Sequence, residues 1–280
     1  MKIFILGASG FLGTKLRSML SKENEIIGID RNPNYEGGLK LDALDFEPLR
    51  KKIIEEKAEV IISTIALTSS LECERNPELA KKLNYETASN MIKIAKELDI
   101  PAVFMSSTYI FDGKGGNYSE KDTPNPLNEY GKTKVMAEKE ILSYKKGIVL
   151  RIDLMYGYNK REKGNGVFDR ILSGKDIEIG DPNQMRQPIF VEDVVNFINF
   201  LLKKKEYGLF NIAGPDKLKM IDVLKNLESV VRKESKIKIV DKKSEVFHPK
   251  NATFNIEKMK SLGFKTKNMK SALKILKSQL

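Results

Sequence analysis

The sequence predicts an α/β protein built on a doubly wound, parallel β-sheet. Short apolar segments of strand length alternate along the chain with segments whose apolar residues recur at helical spacing. A glycine-rich turn follows the first apolar segment, and no later apolar run approaches membrane-spanning length. Because parallel strands need a crossover that is usually helical, this alternation places consecutive strands in one sheet with helices on its faces.

Strands are predicted where Ile, Val, Leu and Phe cluster between Gly, Asp or Pro, and helices where apolar residues recur three to four positions apart. The predicted strands cover residues 2–6, 25–30, 39–42, 60–66, 102–105, 149–152 and 210–213. The predicted helices cover residues 14–20, 48–56, 84–98, 194–202, 220–231 and 269–280. A further helix is expected to begin near Asn128, because Pro124 and Pro126 interrupt the chain just before it.

The turn after the first strand has the pattern Gly-x-x-Gly-x-x-Gly, formed by Gly7, Gly10 and Gly13. Glycines allow a tight turn and let backbone N–H groups and a helix N-terminus approach a pyrophosphate, although similar turns occur in other α/β proteins. The second strand ends in Asp30, whose carboxylate would accept hydrogen bonds from an adenosine ribose. Asp30 favours NADH, but Arg31 beside it could hold a ribose 2′-phosphate, so NADPH is also a candidate cofactor.

A tyrosine and a lysine, Tyr130 and Lys134, lie four residues apart just after the expected helix start. This spacing places both side chains on one helix face. A free phenol has a pKa of about 10, and a neighbouring ammonium favours the phenolate, so we expect Lys134 to draw the pKa of Tyr130 towards neutral pH. The pair is a candidate acid/base device. On a lysine-rich helix, a tyrosine and a lysine also occur at this spacing without any function. The functional interpretation of the pair therefore depends on the other motifs of the chain.

The glycine turn, Ser107, Tyr130 and Lys134 together resemble the extended short-chain dehydrogenase/reductase superfamily, whose members mostly act on nucleotide sugars. Residues 107–113, 124–134 and 248–255 are similar to the dTDP-4-dehydrorhamnose reductase family, and the resemblance covers essentially the whole chain. It implies a Rossmann-type sheet with a smaller, interleaved C-terminal substrate-binding lobe. Residues 1–153, with 187–213 returning to them, would form the dinucleotide-binding domain, and residues 154–186 and 214–280 mainly the substrate-binding lobe.

The resemblance also implies a role for each site residue. Tyr130 would protonate a sugar carbonyl oxygen, Ser107 would hydrogen-bond that oxygen, and Lys134 would hold the nicotinamide ribose. The residues implied to bind the cofactor are Gly7, Ser9, Gly10, Phe11, Leu12, Gly13, Asp30, Arg31, Asp42, Ala43, Ala66, Tyr130 and Lys134. The residues implied to bind the substrate are Ser107, Thr108, Arg186 and His248.

Three of the implied substrate residues depart from the reductase pattern. Arg186 matches an arginine that reaches the diphosphate in nucleotide-sugar epimerases; the alternative is that it caps a loop over Glu192 or Asp193. His248, the single histidine, replaces an arginine and is either a loop residue or a weaker contact for an anionic group. Thr108 stands where a nucleotide-sugar 4,6-dehydratase carries an acid, which speaks against dehydration.

Composition agrees with a cytoplasmic enzyme. Cys73 is the only cysteine and has no metal-ligand neighbours in the sequence, so we expect neither a disulfide nor a bound metal. The net charge is +11, yet lysines and glutamates interleave on helix faces, as in residues 51–56. We therefore expect no nucleic-acid or membrane binding, although a basic surface helps to attract anionic cofactors and substrates.

The resemblance implies NADH- or NADPH-dependent reduction of the 4-keto group of a nucleotide-diphosphate sugar. The first candidate reaction converts dTDP-4-dehydro-L-rhamnose to dTDP-L-rhamnose. Two alternatives stay open. One is a non-catalytic dinucleotide-binding subunit like the regulatory subunit of methionine adenosyltransferase, which has a similar Tyr-Gly-Lys-Thr-Lys segment. The other is a nucleotide-sugar 4-epimerase. The family pattern is compatible with a homodimer.

Overall fold

The computed structural model describes residues 1–159, 167–174, 176–231, 237–240 and 246–280. The expected substrate-binding lobe therefore includes residues that lie outside the described ones. The strands are β1 (Lys2–Leu6), β2 (Glu25–Asp30), β3 (Leu39–Lys40), β4 (Val60–Ser63), β5 (Ala102–Ser107), β6 (Gly147–Ile152), β7 (Met155–Tyr156), β8 (Ile177–Ile179), β9 (Met185–Arg186), β10 (Ile189–Phe190), β11 (Gly208–Ile212), β12 (Leu218–Lys219) and β13 (Ile237–Ile239).

The helices complete the alternation that the sequence predicts. They are α1 (Phe11–Leu20), α2 (Phe46–Glu55), α3 (Ser70–Arg75), α4 (Pro77–Lys81), α5 (Thr87–Leu98), α6 (Glu129–Leu142), α7 (Val167–Leu172), α8 (Val191–Lys204), α9 (Met220–Glu228), α10 (Glu257–Ser261) and α11 (Met269–Gln279). A π-helical turn, Lys82–Glu86, joins α4 to α5, and a 3₁₀ turn, Thr108–Ile110, follows β5.

Within the described residues, seven parallel strands form the central sheet in the order β11-β6-β5-β4-β1-β2-β3. This confirms the predicted α/β class with a doubly wound parallel sheet. The chain order reverses between β1 and β4, and ligands of such sheets bind at the carboxyl ends of the strands beside this switch point. The glycine turn after β1 and the loop after β4 therefore lie where a ligand is expected.

Helices cover both faces of the sheet. On one face α1 and α8 bury side chains such as Leu16 and Phe197 against the strands. On the other face α2, α5 and α6 do the same with Leu49, Met91 and Ala137. A further apolar cluster joins α7, α9 and α11 away from the central sheet. Both sheet faces are therefore fully covered, and the exposed functional surface is the edge formed by the strand ends.

Several predicted boundaries were wrong for local reasons. The strand predicted to reach residue 66 ends at Ser63, because the Thr64 hydroxyl turns back to donate to the carbonyl oxygens of Leu6 and Gly7, at 3.1 and 2.9 Å. The helix predicted from residue 84 is preceded by α4 and the π-helical turn. There Pro77 occupies the first turn and the Asn76 side chain accepts from the Leu79 N–H. The short strands β7 to β10, β12 and β13 and the short helices α3, α7 and α10 were not predicted.

Across the described ranges, no helix combines the length and the apolar character that a membrane crossing requires. In the same part of the chain, no three His, Cys, Asp or Glu side chains are grouped closely enough to hold a metal ion.

Candidate active site

The glycine turn is tight because two of its positions, Gly7 and Gly13, have no room for a side chain. Gly7 has a φ of +82°, and the Gly10 N–H donates to the Gly7 carbonyl oxygen at 3.0 Å. A Cβ at Gly13 would overlap the Gly7 carbonyl oxygen, and a Cβ at Gly7 would lie 2.8 Å from Thr64 Oγ1. Glycine is thus required at this turn, which brings the N-terminus of α1 to the carboxyl end of β1.

A cavity of about 270 Å³ opens beside the turn. Its lining includes seven of the implied cofactor residues: Gly7, Gly10, Asp30, Arg31, Asp42, Ala43 and Ala66. Thr64, Leu83 and Thr87 also line it and were missed, because the sequence pattern did not show how the π-helical turn approaches the sheet. Leu12 points into the core instead, and the Phe11 carbonyl oxygen accepts a hydrogen bond from Asn159 at 3.0 Å.

Asp30 is held by groups from three segments of the chain. Its carboxylate accepts from the Ser9 N–H at 3.0 Å and from the Tyr35 hydroxyl at 3.2 Å. The Arg17 guanidinium lies over the Tyr35 ring, 3.3 Å from its centroid. Burial raises the pKa of Asp30, while the hydrogen bonds from Ser9 and Tyr35 oppose that rise. Ser9 therefore contributes by orienting this carboxylate with its N–H.

Ser107, Tyr130 and Lys134 converge at the carboxyl end of β5. Asn128 caps α6 by accepting from the Gly131 N–H at 2.8 Å, which fixes the helix start beside Ser107. Ser107 hydrogen-bonds the Tyr130 hydroxyl. Lys134 Nζ donates to the Met105 carbonyl oxygen at 2.9 Å and lies 5.7 Å from the centroid of the Tyr130 ring. All three side chains are buried, and none of them lines the cavity, which lies at the ends of the neighbouring strands β4, β1 and β2.

The pKa of Tyr130 differs from the sequence-based expectation. Burial raises the pKa of Tyr130 above its ordinary value, and the hydrogen bond with Ser107 only partly offsets this. Burial lowers the pKa of Lys134 to about 8. The expected lowering of the Tyr130 pKa by Lys134 is therefore not seen, because the ammonium is directed at a backbone carbonyl and both groups are desolvated. At neutral pH Tyr130 is a phenol and can donate a proton.

We expect Lys134→Met to raise the free energy of unfolding at neutral pH by about 1–2 kcal/mol. Wild type buries an ammonium whose pKa falls from 10.5 to about 8, and methionine fills similar space without charge. Between these two pH values the unfolded wild type binds more protons than the folded protein, so its stability rises with pH. Methionine does not titrate, so the stability of the variant lacks the part of this rise that comes from Lys134. Urea unfolding across that pH range measures both effects; an unchanged pH slope would contradict the burial penalty.

Asn84 is a site residue that sequence reasoning missed. It is fully buried in the π-helical turn, accepts from the Leu67 N–H at 2.8 Å and donates to Thr133 Oγ1 at 3.1 Å. Its amide thus joins the loop after β4 to the turn of α6 between Tyr130 and Lys134. An amide at a buried position of an apolar helix face was the available signal, because such a group requires internal partners.

Arg186 is paired with Asp153 on the substrate side of the site. Its Nε donates to Asp153 Oδ2 at 3.1 Å, and its Nη2 contacts Oδ1 at 2.5 Å. Asp153 also accepts from Thr108 Oγ1 at 3.2 Å. The alternative loop-capping interpretation is wrong, because Glu192 and Asp193 are engaged by lysines of other segments. Asp153 was not predicted, and its charge balances that of the guanidinium that the sequence assigned to a diphosphate.

His248 lies beside this pair rather than in a remote loop. Its Nδ1 is 2.8 Å from the Tyr109 hydroxyl, and the Tyr109 ring stands edge-on to that of Tyr130, with centroids 5.6 Å apart. Burial and the nearby charge of Arg186 lower the pKa of His248, so it is neutral at pH 7. Tyr109, which had no assigned role, therefore connects the histidine to the candidate proton donor.

Known proteins resemble the whole chain. The profile of the RmlD substrate binding domain family matches residues 1–280. Subunit beta of methionine adenosyltransferase 2 from Bos taurus is 30% identical over 230 residues, 78% of this chain and 68% of that protein. A hypothetical dTDP-4-dehydrorhamnose reductase structure from Sulfolobus tokodaii is 27% identical, with a TM-score of 0.83 over 96% of this chain and 98% of that chain.

A third similar structure is the dTDP-4-dehydrorhamnose reductase of Bacillus anthracis, solved in complex with NADP. It is 22% identical, with a TM-score of 0.89 over 100% of this chain and 99% of that chain, and at this identity the likeness shows the fold alone. The family assignment depends instead on the profile, which spans every residue of the chain. The chain therefore belongs to the RmlD substrate binding domain family.

Proposed function

We propose that this protein is an NADH- or NADPH-dependent oxidoreductase that reduces the 4-keto group of a nucleotide-diphosphate sugar. The observation that carries the proposal is the convergence of a phenol, a hydroxyl and an ammonium, from Tyr130, Ser107 and Lys134, at the end of β5, the strand next to β4. Membership of the RmlD family supports it. The first candidate substrate is dTDP-4-dehydro-L-rhamnose, because similar solved proteins are described as dTDP-4-dehydrorhamnose reductases.

The residues beside the turn fit a dinucleotide. A side chain at Gly7 or Gly13 would fill the turn, so backbone alone borders the place where a pyrophosphate would approach. The first turn of α1 carries no acidic residue, so its positive dipole end is not neutralised there. Asp30 would hold the adenosine ribose, Asp42 and Ala43 would border the adenine, and Lys134 would hold the nicotinamide ribose.

When bound, the reduced nicotinamide supplies a hydride to the sugar carbonyl carbon. Tyr130 donates its phenolic proton to the carbonyl oxygen, so the ketone becomes a secondary alcohol and the tyrosine a phenolate. Ser107 hydrogen-bonds the same oxygen as charge develops on it. The raised pKa of Tyr130 keeps the phenol protonated at neutral pH until the alkoxide forms.

The test is turnover of reduced nicotinamide with dTDP-4-dehydro-L-rhamnose. We expect substrate-dependent loss of the reduced-nicotinamide absorbance and formation of one alcohol per dinucleotide oxidised. Because the pKa of Lys134 is about 8, kcat should decline as pH rises through that value and the ammonium is lost. Absence of turnover with every 4-keto sugar nucleotide tried would contradict the proposal.

A second candidate is a dinucleotide-binding subunit without turnover. The match to subunit beta of methionine adenosyltransferase 2, at 30% identity over 78% of this chain, favours it. The two candidates differ in a simple mixing experiment. Stoichiometric co-elution with a methionine adenosyltransferase, together with dinucleotide binding but no keto reduction, would support the subunit. Keto reduction by the isolated chain would support the enzyme.

A further inference from the structure

The single histidine of the chain has two different ring edges. Nδ1 is enclosed by its neighbours and meets the Tyr109 hydroxyl at 2.8 Å, whereas other atoms of the residue reach the surface. The Tyr109 and His248 rings are nearly perpendicular, at 87°, with centroids 5.8 Å apart. The hydrogen bond therefore engages Nδ1 and leaves Nε2 available to a ligand.

Asp153, Arg186, Tyr109 and His248 contact one another in sequence. The proton positions in these contacts follow from which groups can donate a hydrogen bond. A guanidinium donates only and an ionised carboxylate accepts only, so Arg186 donates to Asp153. The positive charge of Arg186 also acts on the Tyr109 hydroxyl, whose oxygen rather than its proton therefore faces the guanidinium. The one proton of Tyr109 is then directed at His248 Nδ1. A neutral imidazole that accepts at Nδ1 carries its proton on Nε2.

The charges of Arg186 and Asp153 cancel. Arg186 and Asp153 form a bidentate pair whose side chains are 11% and 3% exposed, and the neighbouring guanidinium disfavours protonation of His248. The group thus offers a ligand one directed N–H from a neutral ring, without a net positive charge. Such a donor suits a sugar hydroxyl or carbonyl oxygen better than a phosphate, which is held best by cations.

We propose that His248 donates its Nε2–H to an uncharged oxygen of the bound sugar, and that Tyr109, Arg186 and Asp153 act as positioning residues that fix this tautomer. The identity of the ligand rests on the proposed function, whereas the tautomer is a property of the protein alone. His248 is thereby a specificity-determining residue that favours a sugar nucleotide over the free nucleoside diphosphate.

Nitrogen-15 NMR of histidine-labelled protein tests the tautomer without any substrate. The chain contains one histidine, so every imidazole signal belongs to His248. We expect wild type at neutral pH to show one tautomer with the proton on Nε2, and Tyr109→Phe to show averaging between both tautomers. Tyr118→Phe is the matched control, because that hydroxyl bonds Asp112 and not the histidine. A proton on Nδ1 in wild type, or an unchanged His248 spectrum in Tyr109→Phe, would overturn the proposal that Tyr109 fixes this tautomer.

Binding of dTDP-glucose, compared with binding of dTDP alone, tests the contact between His248 Nε2 and the sugar. We expect dTDP-glucose to shift the Nε2 signal and dTDP to leave it nearly unchanged. His248→Arg should tighten dTDP binding about tenfold and reduce the preference for the sugar nucleotide, whereas His248→Gln, a neutral donor, should keep that preference. Equal shifts with both ligands would overturn the inference.

The outcomes separate this inference from the proposed reaction. Binding of dTDP-glucose without a change at Nε2 overturns the histidine contact and leaves the reaction standing. An observed contact without keto reduction overturns the reaction and leaves the contact standing. Failure of dTDP-glucose to bind at all counts against both.

Discussion

Replacing Tyr130 with phenylalanine is expected to lower kcat about a thousand-fold while the dinucleotide still binds. Phenylalanine fills the same buried space beside Ser107 and Lys134 but has no proton to give to the carbonyl oxygen. The Tyr130 hydroxyl loses its hydrogen bond with Ser107 in this variant, and because phenylalanine keeps the ring packing, the melting temperature should change little. Steady-state kinetics and fluorescence titration with NADH and NADPH measure the two effects.

Tyr144→Phe is the matched control for this substitution. Tyr144 is also a buried tyrosine on the side of the sheet covered by α5 and α6, but its hydroxyl lies 3.2 Å from the carbonyl oxygens of Ala95 and Ile100, away from the site. We expect its loss to lower stability by about 1 kcal/mol and to leave kcat unchanged. A Tyr130→Phe protein that kept more than about a tenth of wild-type kcat would show that another group protonates the product.

Replacing Glu138 with glutamine is expected to destabilise the protein by about 3 kcal/mol. Glu138 and Arg151 form a bidentate pair with Nε–Oε1 and Nη2–Oε2 distances of 3.0 and 2.8 Å, and both side chains are almost fully buried. Glutamine leaves a buried guanidinium without a counter-charge. Because Glu138 lies one helical turn after Lys134, its negative charge also favours the ammonium form of that lysine. Urea denaturation measures the loss as a lower midpoint.

Two further variants separate burial from ion pairing in general. Glu97→Gln breaks a bidentate pair with Arg50 whose side chains are 40% and 36% exposed, and we expect a change below about 1 kcal/mol. Adding Arg151→Met to Glu138→Gln removes the uncompensated charge and should restore part of the lost stability. Equal effects of the buried and the exposed pair would contradict the burial argument.

The sequence alone was enough to predict the fold class, and seven of the residues that the resemblance names line the cavity beside the glycine turn. The strand before Gly7 and the strand that ends at Asp30 are read directly from runs of apolar residues, and their ends meet because parallel strands align. The start of α6 was also predicted, because prolines precede it, and in the structure Asn128 caps this helix.

The rest of the site depends on contacts between distant segments. Asp153 and Arg186 are separated by 33 positions and Tyr109 and His248 by 139, so no local pattern shows that they meet. The same holds for Asn84, whose amide reaches both Leu67 and Thr133. The titration of Tyr130 was mispredicted because helical spacing reports that Lys134 is near but not how deeply either group is buried.

Deuteride transfer tests most directly whether Tyr130, Ser107 and Lys134 surround a reacting nicotinamide. The protein is mixed with dTDP-4-dehydro-L-rhamnose and dinucleotide carrying deuterium at the reactive position of the reduced nicotinamide, and the sugar is examined by NMR. We expect deuterium on carbon 4 of a single alcohol epimer in wild type and about a thousand-fold slower labelling in Tyr130→Phe. Bound dinucleotide with no label in the sugar would contradict the proposed chemistry.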